Sequence, residues 1–164
     1  MPRVADKASL VGMEMIITVR KDLPNRERSI AKVEQMLKAA GVVDFYVLEK
    51  MRTAVAAFRT TTPAAAIFIE PKDPQKLSER IRQAMSAREE ASRDLARIHE
   101  EAGELPGARH VERRLRPLPS PTFIVIAKDR VPSKTLPSGT LSFEFSEEER
   151  IVAAVRELAA KAKR

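Results

Sequence analysis

Hydrophobic positions along the chain follow two periods, and each marks a set of elements. Compact apolar runs predict strands over residues 13–20 (Met15, Ile16, Ile17, Val19), 42–49 (Phe45, Val47), 64–70 (Ile67, Phe68, Ile69) and 122–128 (Phe123 to Ile126). Residues 140–145 alternate, with Leu141, Phe143 and Phe145 on one face and Ser142 and Glu144 on the other, as a half-buried strand does. Residues 53–60, with Val55 and Phe58, read as a further short strand, and 111–118 as an extended segment. Three stretches carry the longer period. Ile30, Val33, Leu37 and Ala40 share a helical face behind Asn25 as the cap and before Gly41 as the stop. The last helix starts at Ser146, with Glu149 completing a capping box, and Ile151, Val152, Val155, Leu158, Ala159 and Ala162 make its apolar face.

The third helix is the dominant feature. Asp73-Pro74 forms a cap and a first-turn proline, Gly103 a stop, and no Pro or Gly lies between. Leu77, Ile81, Ala84, Ala91, Leu95, Ile98 and Ala102 draw one stripe through residues 73–102, about 45 Å of helix. That outruns a small sheet, so the later part of the stripe, Ala91, Leu95 and Ile98, is the expected surface for a second copy. Arg88 interrupts the stripe where a helix seam wants an apolar residue.

Taken together, the order is strand, helix, strands, helix, strands, helix. It predicts an α+β protein: a ferredoxin-like antiparallel sheet with helices on one face, extended by the long helix, a C-terminal hairpin and a last helix. Residues 1–12 read as a flexible lead-in, with Met13 as an alternative start, and 13–164 as a single domain.

Composition narrows the chemistry. Six Phe, one Tyr and no Trp leave a mainly aliphatic core and few rings on which to stack unpaired bases. No cysteine is present, so disulfides and thiolate chemistry are excluded. No apolar run reaches membrane-span length, and the expected location is the cytoplasm. One Asn beside abundant Arg, Glu and Pro fits a thermophile.

Charge is uneven. Of the net +7, residues 106–145 hold 7 basic and 3 acidic groups, whereas 71–105 hold 7 and 8. Arg109, Arg113, Arg114 and Arg116, then Lys128, Arg130 and Lys134, form a basic segment suited to phosphate, because guanidinium donates two parallel hydrogen bonds. An edge strand guarded by charge is the structural alternative. His99 and His110, eleven residues apart with no third imidazole, do not make a metal site. Phosphate-loop, dinucleotide and hydrolase motifs are absent. No catalytic residue, metal or cofactor is expected.

Residues 15–62, the Asp73-Pro74 helix start with Leu77 and Ile81, and the Arg114-Leu115-Arg116-Pro117 element resemble archaeal THUMP-type tRNA-binding proteins. The resemblance covers about 100 residues. It implies a ferredoxin-like N-terminal domain and binding of structured RNA. The long helix departs from that family, and too little chain remains for a full THUMP module. The functional expectation is therefore a non-enzymatic protein that binds structured RNA through the basic segment. An oligomerising adaptor that uses the long helix is the alternative.

Overall fold

The computed structural model describes residues 15–19, 23–49, 51–60, 63–70, 74–103 and 121–162. In chain order the elements are β1 (Met15–Val19), α1 (Arg26–Ala39), β2 (Phe45–Leu48), α2 (Met51–Thr60), β3 (Ala65–Glu70), α3 (Pro74–Gly103), β4 (Thr122–Ala127), β5 (Leu141–Glu144) and α4 (Glu148–Ala162). All five strands are parallel, in the order β2-β1-β3-β4-β5. The protein is an α/β fold, and the antiparallel ferredoxin-like sheet expected from the sequence is overturned.

The error has one physical source. Residues 51–60 form a helix, not a strand, and bury Ala54, Ala57 and Phe58 at helical spacing. With that helix in place strands and helices alternate from β1 to β4, and alternation demands crossovers between parallel strands. A hairpin at the C-terminus is likewise absent. Residues 128–140 run back along the sheet, so β5 lies parallel to β4.

Burial explains why both faces must be covered. Every residue of β1 is buried, as are Ala65 to Ile69 of β3 and Phe123 to Ala127 of β4. Such runs have no polar face to offer water. Ile17, Val19, Ile67, Ile69, Ile124 and Ile126 pack against Ile30, Val33 and Leu37 of α1 and Ile151 and Val155 of α4. On the other face, Ile16, Leu48, Ala66, Phe68, Phe123 and Val125 meet α2 and, through Leu77, Ile81 and Ala84, α3. Helices thus lie on both faces rather than one. The chain moves one way from β1 to β2 and the other way from β3 to β4. Right-handed crossovers then send α1 and α3 to opposite faces.

Two helix ends show local control. Past α1, Gly41 at φ 85° lets its own amide reach the Lys38 carbonyl at 3.0 Å and the Val42 amide reach Leu37 at 2.9 Å. This pair closes the helix and satisfies two otherwise orphaned carbonyls. Asn25 precedes α1 at φ 54°, but its side chain makes no capping hydrogen bond. Before α4, the Ser146 hydroxyl donates to Glu144 Oε2 at 3.2 Å, and the helix starts two residues later. The expected serine cap is therefore not formed.

The stripe on α3 is buried only as far as Arg88. Residues 74–88 cover the sheet, and the remaining fifteen continue for about 22 Å past it. Arg88 itself is 1% exposed and donates from Nη1 to the Phe58 carbonyl at 2.6 Å. It sits in the stripe because it caps the carboxyl end of α2, and desolvation pulls its pKa down.

Candidate nucleic-acid interface

Parallel topology decides where the basic residues lie. Every strand points the same way, so β4 takes in the chain at one edge of the sheet and delivers it at the other, about 17 Å away. Lys128 and Arg130 follow directly at the carboxyl edge, and Lys134 lies further along the returning segment in a 3₁₀ turn, Ser133–Thr135. All three are exposed. Arg109, Arg113, Arg114 and Arg116, which precede β4, lie outside the described residues, as does His110. The two halves of the sequence-defined segment therefore flank a whole strand.

Residues 128–140 are anchored from beneath. Val131 and Leu136 are buried in the core on the α2/α3 face, and the Val131 carbonyl accepts from Ser142 Oγ at 2.7 Å. Thr135 Oγ1 closes the turn on the Pro132 carbonyl at 2.7 Å. The loop is thus a positioned support for its exposed cations.

Of those cations, Arg130 is already engaged. Glu147, at the start of α4, accepts from Arg130, from Arg150 Nη1 at 2.8 Å and from the Glu144 amide at 3.1 Å. These donors hold the Glu147 carboxyl down to about 2, Arg130 contributing most, and Glu147 in turn raises the pKa of Arg130. One carboxylate shared between two guanidiniums leaves a single surplus positive charge. Glu144, Glu148 and Glu149 stand beside it in sequence, so the start of α4 dilutes the basic character of this edge. Lys128 and Lys134 have no ion pair with a described residue. Sequence reasoning missed the Glu147 junction because its leading partner, Arg130, lies seventeen residues away across the 128–140 segment.

The charge distribution over the whole chain is more telling. The described residues contain 18 basic and 17 acidic side chains, so they are almost neutral. The remaining 12 basic and 6 acidic groups supply six of the seven net charges. Of these six, residues 20–22 and Lys50 hold one net charge each, and residues 104–120 and 163–164 two each.

On the long helix, Ala91 and Leu95 are partly buried, and the side chain of Ile98 lies outside the described residues, as does that of His99. Beside them the outward face is of mixed sign. Arg59 and Arg97 both pair with Asp94, at 3.6 and 3.0 Å, and with Glu90 and Arg93 they line a shallow groove of about 420 Å³. Arg59 and Glu90 also border a neighbouring groove between α2 and α3, about 330 Å³, with Arg82 and Glu79. No group of three or more His, Asp or Glu suited to a metal ion occurs among the described residues, and none of the described helices is long and apolar enough to cross a membrane.

Comparison with family models, curated proteins and solved structures finds no match. The ferredoxin-like domain implied by the THUMP resemblance is not the fold observed.

Proposed function

We propose that the protein is a non-enzymatic, cytoplasmic binder of structured, tRNA-like RNA that grips phosphate through Arg109, Arg113, Arg114 and Arg116. The observation that carries this reading is a localised basic excess: residues 106–145 hold 7 basic and 3 acidic groups, next to a charge-balanced 71–105 with 7 and 8. A uniformly basic surface would suit solubility alone, whereas a localised excess suits a polyanion. Scarcity of Trp and Tyr favours recognition by shape and phosphate over base stacking. Lys128 adds to the contact where the RNA reaches the carboxyl edge, Lys134 adds to it from the returning segment, and Arg130 adds less because Glu147 holds it.

The test is a filter-binding titration of the full chain with folded RNA and with duplex DNA over a salt series. Affinity for RNA should fall steeply with salt through loss of counterion release. Replacing Arg113, Arg114 and Arg116 together with Ala should flatten that slope. Absence of binding to RNA at low salt sinks the reading.

One observation favours a second reading. Helix α3 continues well past Arg88 with Leu95 only partly covered, which suits a homodimer through Ala91, Leu95 and Ile98. Leu95→Glu with Ile98→Glu should turn such a dimer into a folded monomer in sedimentation. A wild-type chain that is monomeric at high concentration refutes it.

A further inference from the structure

The outer face of α3 carries an ordered set of charges. Glu79, Arg82, Ser86, Glu90 and Arg93 recur at intervals of three, four, four and three, so they share one sector of about 80° on the helix. All five are exposed, and they point away from the sheet, which Leu77, Ile81 and Ala84 meet. Counted outward from Ser86, four residues bring Arg82 on one side and Glu90 on the other, and seven bring Glu79 and Arg93. The face reads alike from both ends, with every sign reversed.

Those four charges have no partner among the described residues. Glu79 and Arg82 stand three apart on one helix, as do Glu90 and Arg93, yet neither pair closes. Asp94, on the flank of this face, by contrast holds both Arg59 and Arg97. An interface between two copies related by a two-fold axis demands that residue i meet j and that j meet i. A second α3, laid antiparallel with the axis at Ser86, sets Arg82 against Glu90 and Glu79 against Arg93, each of them twice. Parallel pairing would instead set every charge against its own kind.

Shape agrees with charge. The groove of about 330 Å³ between α2 and α3 runs along this same face and is lined by Val55, Arg59, Glu79, Arg82, Ser86 and Glu90. Ser86 has no bulk to hold a second helix away, and packed helices need their axes within about 8–10 Å. Val55 is only partly buried in the monomer, so an incoming helix covers apolar surface as well as charge.

We propose that the α2/α3 groove is a docking surface for a second copy of this chain, which enters with the outer face of its own α3, antiparallel and centred on Ser86. This surface is distinct from the seam of Ala91, Leu95 and Ile98. Ser86 and Leu95 are nine residues apart, two and a half turns, and so lie on opposite sides of α3. It does not depend on the RNA reading either.

The chain contains no cysteine, so engineered thiols give an unambiguous test. Under mild oxidation the full chain carrying Ser86→Cys should form a disulfide-linked dimer. The double variant Glu79→Cys with Arg93→Cys should do the same, since its two thiols lie about 21 Å apart within one chain and cannot join there. In sedimentation, Arg82→Glu should weaken association at least tenfold by facing like charges, and adding Glu90→Arg should restore it, with unchanged circular dichroism spectra. Leu95→Glu with Ile98→Glu should leave the Ser86→Cys link intact. A dimer that those two substitutions abolish, with no link at Ser86, upholds the seam and overturns this surface. A link at Ser86 without one in the 79/93 variant, association indifferent to Arg82→Glu, or a wild type monomeric at high concentration also overturns it.

Discussion

Arg88→Met isolates the most unusual residue of the core. Methionine keeps most of the buried stem and removes the guanidinium that caps α2. Two effects oppose each other. Loss of a hydrogen bond from a charged donor costs about 1.5–3 kcal/mol, and the Phe58 carbonyl is left unsatisfied at the end of a buried helix. Against this, the variant no longer desolvates a cation that is 1% exposed, and replacing buried charge with apolar volume is sometimes neutral or favourable. The geometry decides between them. At 2.6 Å the bond is short, and Phe58 is fully buried, so its carbonyl has no water to take in exchange. The expected outcome is a net loss of about 1–3 kcal/mol. In urea that lowers the unfolding midpoint by roughly 1 M with an unchanged slope. Arg82→Met, on the exposed face of the same helix, should stay within about 0.5 kcal/mol of wild type. An Arg88→Met protein as stable as wild type, or more stable, would show that desolvation outweighs the cap.

Three further outcomes are expected. Gly41→Ala should cost about 1 kcal/mol in thermal unfolding, purely from φ 85°, since an added Cβ meets nothing within 4 Å; a neutral result means the turn relaxes. Ser146→Ala should change stability by less than about 0.5 kcal/mol, because its hydroxyl reaches only the Glu144 carboxylate; a larger loss would restore the serine cap. Glu147→Gln tests the junction with Arg130 and Arg150 through pH. The Glu147 carboxyl lies below its ordinary 4.5 in the folded protein, at about 2, so the stabilisation is complete above 4.5 and disappears as pH falls towards 2. Urea midpoints of wild type and variant should therefore converge across that window, and a gap that stays constant from pH 5 to 2 contradicts the assignment.

Much of the local structure was legible in the chain. The long helix was placed within one residue at each end, because Asp73-Pro74 and Gly103 bracket an uninterrupted period. Residues 140–145 do contain a strand, and Phe143 and Phe145 pack against the core as expected, but Leu141, read onto the same face, is 37% exposed, and Ser142 and Glu144 share the intermediate burial of Phe143. Residues 53–60 read as a strand because Val55 and Phe58 are good strand formers, whereas Met51–Thr60 is a helix. Yet Ala54, Ala57 and Phe58 recur at three and four, and that spacing carried the right answer. Missing one short helix changed the whole topology, since two strands in a row suggest a hairpin while a helix between them requires a crossover.

By itself, then, the sequence determined the boundaries and amphipathic faces of most elements, since caps, stops and periods act over a few residues. It also determined the charge excess and its clustering. Strand direction and order came only from the tertiary structure, since a buried apolar run serves equally in parallel or antiparallel pairs until both faces are seen to be covered. The role of Arg88 was hidden for the same reason: its partner is thirty residues away on another helix.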